Sequence, residues 1–156
     1  MKRPIIQAPD ERLLKISQEV DASELSDLLG PVYSGIRDLQ DTFRATQKCI
    51  GLAAPQIGIP WRIIIVDVSP SRSDTYVMVN PVIAKESEDL QVVRDGCMSV
   101  SNGQRFLDTK RPRKLTIQWI DPDGTLRRQK FSGLTAACVH HEVDHLNGVL
   151  FIDRVV

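Results

Sequence analysis

The segment Gly133–Gly148, GLTAACVHHEVDHLNG, constrains the fold more than any other part of the chain. It carries His-Glu-x-x-His, from His141 to His145, among apolar residues. Leu134, Ala136, Ala137 and Val139 precede the motif; Val143, Leu146, Val149, Leu150 and Phe151 lie within or beyond it. Successive helical residues turn by roughly 100°, so the two imidazoles lie one turn and about 40° apart. Both reach one point. Two histidines and an acid in so apolar a helix are costly unless they are paired or ligating. The pattern predicts a buried helix, stopped by Asn147-Gly148, that holds a divalent ion. Glu142 is poorly placed as a ligand but well placed as general base toward a metal-bound water.

One helix supplies only two ligands, so the search for a third constrains the rest of the fold. Metalloproteases with this motif find it downstream, as in His-Glu-x-x-His-x-x-Gly-x-x-His. Here Gly148 fits, but Phe151 stands at the last histidine, and only eleven residues follow His145. Asp153 is too close to return from a second helix, so the ligand is expected upstream. His140 points about 100° away from His141. Cys138 lies a turn early and leans toward the helix N-terminus, which makes it a packing residue. Cys49 and Cys97 remain. Cys97 follows the Asp95-Gly96 break in a strand-like run, Val92–Val100, and composition favours it only modestly over a small buried hydrophobe.

The other segments fall into place around that helix. Leu25, Leu28, Leu29, Val32, Ile36, Leu39 and Phe43 are spaced as in a helix over Ser23–Gln47, with Asp21 or Ser23 as cap and a break at Gly30-Pro31. Cys49–Pro60 reads as a buried or half-buried loop. Arg62–Val68 and Thr75–Ile83 read as strands, and Lys114–Asp121 and Thr125–Gly133 as a hairpin about Pro122-Asp123-Gly124. Helix, then strands, then helix, without βαβ alternation, indicates an α+β fold: mostly antiparallel sheets packed around a C-terminal metal-binding helix, with an N-terminal helix. The 156 residues suit one domain.

Lys plus Arg and Asp plus Glu number 20 each, which gives no sign of nucleic-acid or membrane binding. Three cysteines without paired spacing suit a reducing compartment. The N-terminal stretch lacks the apolar run of a signal peptide, and no run is long enough to span a membrane. The expected location is the cytoplasm.

Three segments together resemble the peptide deformylase family. Cys49-Ile50-Gly51-Leu52-Ala53-Ala54-Pro55-Gln56 is similar to its Gly-Φ-Gly-Leu-Ala-Ala-x-Gln. Asp95-Gly96-Cys97-Met98-Ser99 is similar to Glu-Gly-Cys-Φ-Ser, and His140-His141-Glu142-Val143-Asp144-His145-Leu146-Asn147-Gly148 to Gln-His-Glu-x-Asp-His-Leu-x-Gly. The resemblance extends over nearly the whole chain, and the three motifs in this order are highly specific. It implies removal of the N-formyl group from N-formylmethionyl peptides of nascent chains, with a transient ribosome contact. It also implies one divalent metal ion on Cys97, His141 and His145. That ion is usually Fe(II), and Zn(II) or Ni(II) can take the same place. Glu142 would be the general base and then proton donor. Gln56 and the Met98 N–H would donate to the developing oxyanion. Ile50, Gly51, Cys138 and Val139 would contact the substrate, Gly51 by letting its backbone come close.

The chain departs from the family pattern at Cys49 (glycine), Asp95 (glutamate, expected to pair with Arg111 or Arg113), Ser101 (proline) and His140 (glutamine). Competing readings are a paralogue acting on another formylated amine, a zincin-type protease, and a non-catalytic metal- or peptide-binding relative. The missing downstream ligand counts against the protease. Intact Glu142 and Gln56 count against mere binding.

Overall fold

The computed structural model describes residues 1–156. Its helices are α1 (Pro31–Ala45) and α2 (Gly133–Leu146). Its strands are β1 (Gly51–Ala53), β2 (Ile63–Val66), β3 (Tyr76–Glu86), β4 (Leu90–Gly96), β5 (Phe106–Pro112), β6 (Lys114–Ile120) and β7 (Leu126–Ser132). Five of them form a sheet in the order β1-β2-β3-β6-β7, and β4 pairs with β5 alone. Every pairing is antiparallel. This is the expected α+β arrangement.

β2 explains the layering. All four of its residues are buried, and side chains alternate across a strand. Ile63 and Ile65 join Val32, Ile36, Leu39 and Phe43 of α1 in one core. Ile64 and Val66 join Ala136, Val139, Val143 and Leu146 of α2 in another. An unbroken β-branched run therefore marks a strand covered on both faces, with one helix on each.

The helix expected over Ser23–Gln47 is broken at Gly30-Pro31, where α1 starts with Pro31 in its first turn. The residues before it make only a 3₁₀ turn, Ala22–Ser26, capped by Asp21 accepting from the Ser23 N–H at 3.0 Å. Leu28 and Leu29 consequently lie exposed. At the other end, Arg72 donates to the carbonyls of Phe43 (2.8 Å), Thr46 (2.6 Å) and Cys49 (2.9 Å). It thereby satisfies the end of α1 and fixes the entry to β1. Cys49–Pro60 is more regular than the loop expected: β1 is followed by a 3₁₀ turn, Ala54–Ile57. Gly124 takes φ +90° in the β6–β7 turn, and Gly148 takes φ +74° beyond α2.

Candidate metal centre

α2 is buried at every position from Ala136 to Leu146, so its polar residues need partners inside the protein. His141 Nδ1 donates to Asp95 Oδ1 at 2.9 Å. That bond fixes the tautomer and leaves the Nε2 lone pair pointing inward. His145 Nε2 lies 3.2 Å from His141 Nε2 and 3.3 Å from Cys97 Sγ. The three ligand atoms all fall within 4.8 Å of one another. Burial pushes the His145 pKa well below its ordinary value, which leaves the ring neutral. Two facing imidazole nitrogens and a sulfur are repulsive unless a proton or cation sits between them. One sulfur and two imidazoles suit Fe(II), Zn(II) and Ni(II) alike, so the donor set fits a single divalent ion.

The sulfur arrives from the opposite side of the cavity. β4 ends at Gly96, and the chain turns at Cys97, with the Val100 N–H donating to the Cys97 carbonyl at 3.0 Å. Gln7 braces this loop, donating to Met98 O (2.8 Å) and accepting from Asn102 N (3.1 Å). The Ala8 N–H donates to Ser99 O at 2.7 Å. Nothing local in the sequence marks this brace. Ser101 has φ +50°, a conformation closed to the proline of the family pattern.

Beside Cys97 and His141 lies a cavity of about 530 Å³, with His145 buried behind it. Glu142 enters it with Oε2 4.0 Å from His141 Nε2, while Oε1 has no hydrogen-bond partner. Burial raises the Glu142 pKa to about 7. Gln56 Oε1 accepts from Ala53 N at 2.9 Å, so its NH₂ must face Ser99 Oγ (3.0 Å) and Cys97 Sγ (3.6 Å). The Met98 N–H donates to no protein acceptor. Gln56 Nε2 thus lies beside Cys97 Sγ, and the Met98 N–H belongs to the residue that follows Cys97.

Beneath the site lies a network the sequence showed only in part. Arg111 is 1% exposed. It donates to Asp95 Oδ2 (2.9 Å), Asp144 Oδ2 (2.9 Å) and His140 Nδ1 (2.8 Å). Arg113 instead pairs with Asp89 at the surface. Of the two candidate partners for Asp95, the buried one makes the contact. Arg154 clamps Asp144 through two 2.9 Å bonds. His140 is buried, and that burial lowers its pKa to about 4, so it accepts from Arg111 as a neutral ring.

The expected substrate contacts divide. Ile50, Gly51 and Cys138 line the cavity, Ile50 at its exposed rim. A side chain at Gly51 would collide with the Glu142 carboxylate and come within 2.8 Å of Cys138 Sγ. Cys138 Sγ donates to Ile50 O at 3.4 Å, away from the ligand atoms. Val139 is a correction: it is fully buried in the α2–sheet core and does not reach the cavity. Helical geometry is the reason, because Val139 lies about 200° around the axis from His141. Phe151, where the metalloprotease pattern has its third ligand, packs with Cys97 and stacks on the His141 ring at 6.4 Å.

A family model described as polypeptide deformylase matches residues 2–156. The chain belongs to this family. A peptide deformylase of Agrobacterium fabrum is 36% identical over 161 residues, covering 98% of this chain and 86% of the relative. Among solved structures, the Thermotoga maritima peptide deformylase superposes with a TM-score of 0.89 at 27% identity, covering 100% of this chain and 99% of the other. The class I type b enzyme of Acinetobacter baumannii with Met-Ala-Ser bound gives 0.88 at 29% identity, with 99% of each chain covered. These neighbours share the α+β fold, and no helix here is long and apolar enough to cross a membrane.

Proposed function

We propose that the chain, acting as one catalytic domain over residues 1–156, removes the N-formyl group from N-formylmethionyl peptides and releases formate. Family membership supports the hydrolase reading. One observation carries the assignment of residues. Cys97 Sγ and the Nε2 atoms of His141 and His145 converge within 4.8 Å beside a buried carboxylate with a free oxygen. These three residues would hold one divalent ion, Fe(II) in the cell. When bound, such an ion supplies Lewis acidity toward a carbonyl oxygen and lowers the pKa of water.

The remaining roles belong to protein groups. Glu142 accepts a proton from the attacking water and returns it to the departing amine, a task suited to a carboxyl with a pKa of about 7. Gln56 Nε2 and the Met98 N–H donate to the formyl oxygen as charge develops there. Asp95 holds His141 in its ligating tautomer, and Arg111 neutralises Asp95. Gly51 lets the Glu142 carboxylate stand against the backbone of β1, whose open edge can pair with peptide backbone. On this reading the substrate is a nascent chain, met in the cytoplasm through a transient ribosome contact.

The test is formate release from formyl-Met-Ala-Ser by protein prepared without oxygen, with metal analysis on the same sample. Turnover should scale with metal content. Metal-replete protein that releases no formate would overturn the reading.

A further inference from the structure

The mouth of the cavity carries a charge that the chain as a whole does not. Acids and bases balance at 20 each, yet the exposed charged side chains lining the cavity, Lys48 and Arg94, are both basic. The acids in the lining, Asp95 and Glu142, are buried, and Asp95 is paired with Arg111. Gln47, Asn102 and Gln104 complete the polar rim without charge. Lys48 sits at φ 61° just before β1 and forms no salt bridge. Arg94, on β4 three residues before Cys97, has only a 3.6 Å contact with Asp108, both side chains being more than half exposed. Water screens such a pair heavily, so Arg94 remains available to a ligand.

The two cations stand on the two walls of the cavity, one at the entry to β1 and one on β4. This inference rests on the proposed deformylase reading. With the formyl end beside Glu142 and Cys97, the residues after methionine leave between these walls. We propose that Lys48 and Arg94 select formylated peptides bearing Asp or Glu within the first residues after methionine. Two partly screened charges at a rim favour an acidic over a neutral peptide by about three- to tenfold in kcat/KM.

The experiment compares the C-terminal amides of formyl-Met-Ala-Asp, formyl-Met-Ala-Asn and formyl-Met-Ala-Lys at roughly 50 mM and 500 mM salt, a range over which screening changes strongly. The expected order at low salt is Asp, then Asn, then Lys, with the differences shrinking at high salt. The Lys48→Glu/Arg94→Glu double variant should reverse it. Equal kcat/KM on all three peptides, or an acidic preference that survives the double variant, would overturn the proposal. Formate from none of the peptides would instead sink the deformylase reading itself.

Discussion

Asp95 Oδ1 accepts the Nδ1–H of His141 at 2.9 Å, while Arg111 holds its other oxygen at 2.9 Å. The carboxylate thus links a buried cation to an imidazole whose other nitrogen faces Cys97 and His145. Groups in this position usually contribute 10- to 100-fold, roughly, to metal affinity. Asp95→Ala should weaken metal retention by about that factor in chelator competition, and Asp95→Glu, which keeps a carboxylate, should recover most of it. Equal retention by wild type and Asp95→Ala would show that His141 needs no orienting partner.

Glu142 has one oxygen with no partner, and its other oxygen lies 4.0 Å from His141 Nε2. Glu142→Gln keeps the shape and removes the proton acceptor. Metal content should match wild type, while formate release falls by about 10²–10⁴-fold, the usual contribution of general acid–base catalysis. Loss of metal together with activity would reassign Glu142 to the ligand set.

Arg111 and Arg113 are two residues apart and predict opposite outcomes. Arg111→Met leaves Asp95 without its buried cation and Asp144 with Arg154 alone, and breaking one side of such a buried pair costs about 3–5 kcal/mol. Arg113→Met removes a solvated pair with Asp89, where both side chains are about half exposed or more, and costs less than about 1 kcal/mol. Denaturant unfolding of the two variants measures the difference. Similar midpoints would mean that the buried network contributes nothing to stability.

The contrast between those arginines shows what the sequence could reveal. The histidines were legible because one helical period fixes their geometry without reference to anything else. Val139 could have been placed by the same wheel, which puts it opposite His141. Cys97 was different, since local chemistry could not separate it from Cys49, and only the family motif did so. Arg111 is ambiguous in the sequence because no tight-turn signal joins β4 to β5. Their register pairs Val93 with Thr109 and Gln91 with Arg111, which puts Arg111 on the face that carries Asp95. The nine residues from Cys97 to Arg105 hide that pairing, because they form the site loop rather than a tight turn. Gln7 reaches Met98 from 91 residues away, and no periodicity reports such a contact.

The three cysteines provide a last test, because all are buried yet differ in what holds them. Burial pushes the Cys49 thiol up to about 12, and it donates to Gly51 O at 3.0 Å. Burial also raises the Cys138 pKa well above its usual value. At pH 8 both remain protonated, and the thiolate is the nucleophile, so neither should react with iodoacetamide in the folded protein. Cys97 Sγ faces the cavity among the two imidazoles and the Gln56 amide, and a bound ion would occupy its lone pair. Metal-loaded protein should therefore resist alkylation, and stripping with a chelator should expose one equivalent that peptide mapping places at Cys97. Modification of Cys49 or Cys138 at a comparable rate in the folded, metal-free protein would contradict this ordering of the thiols.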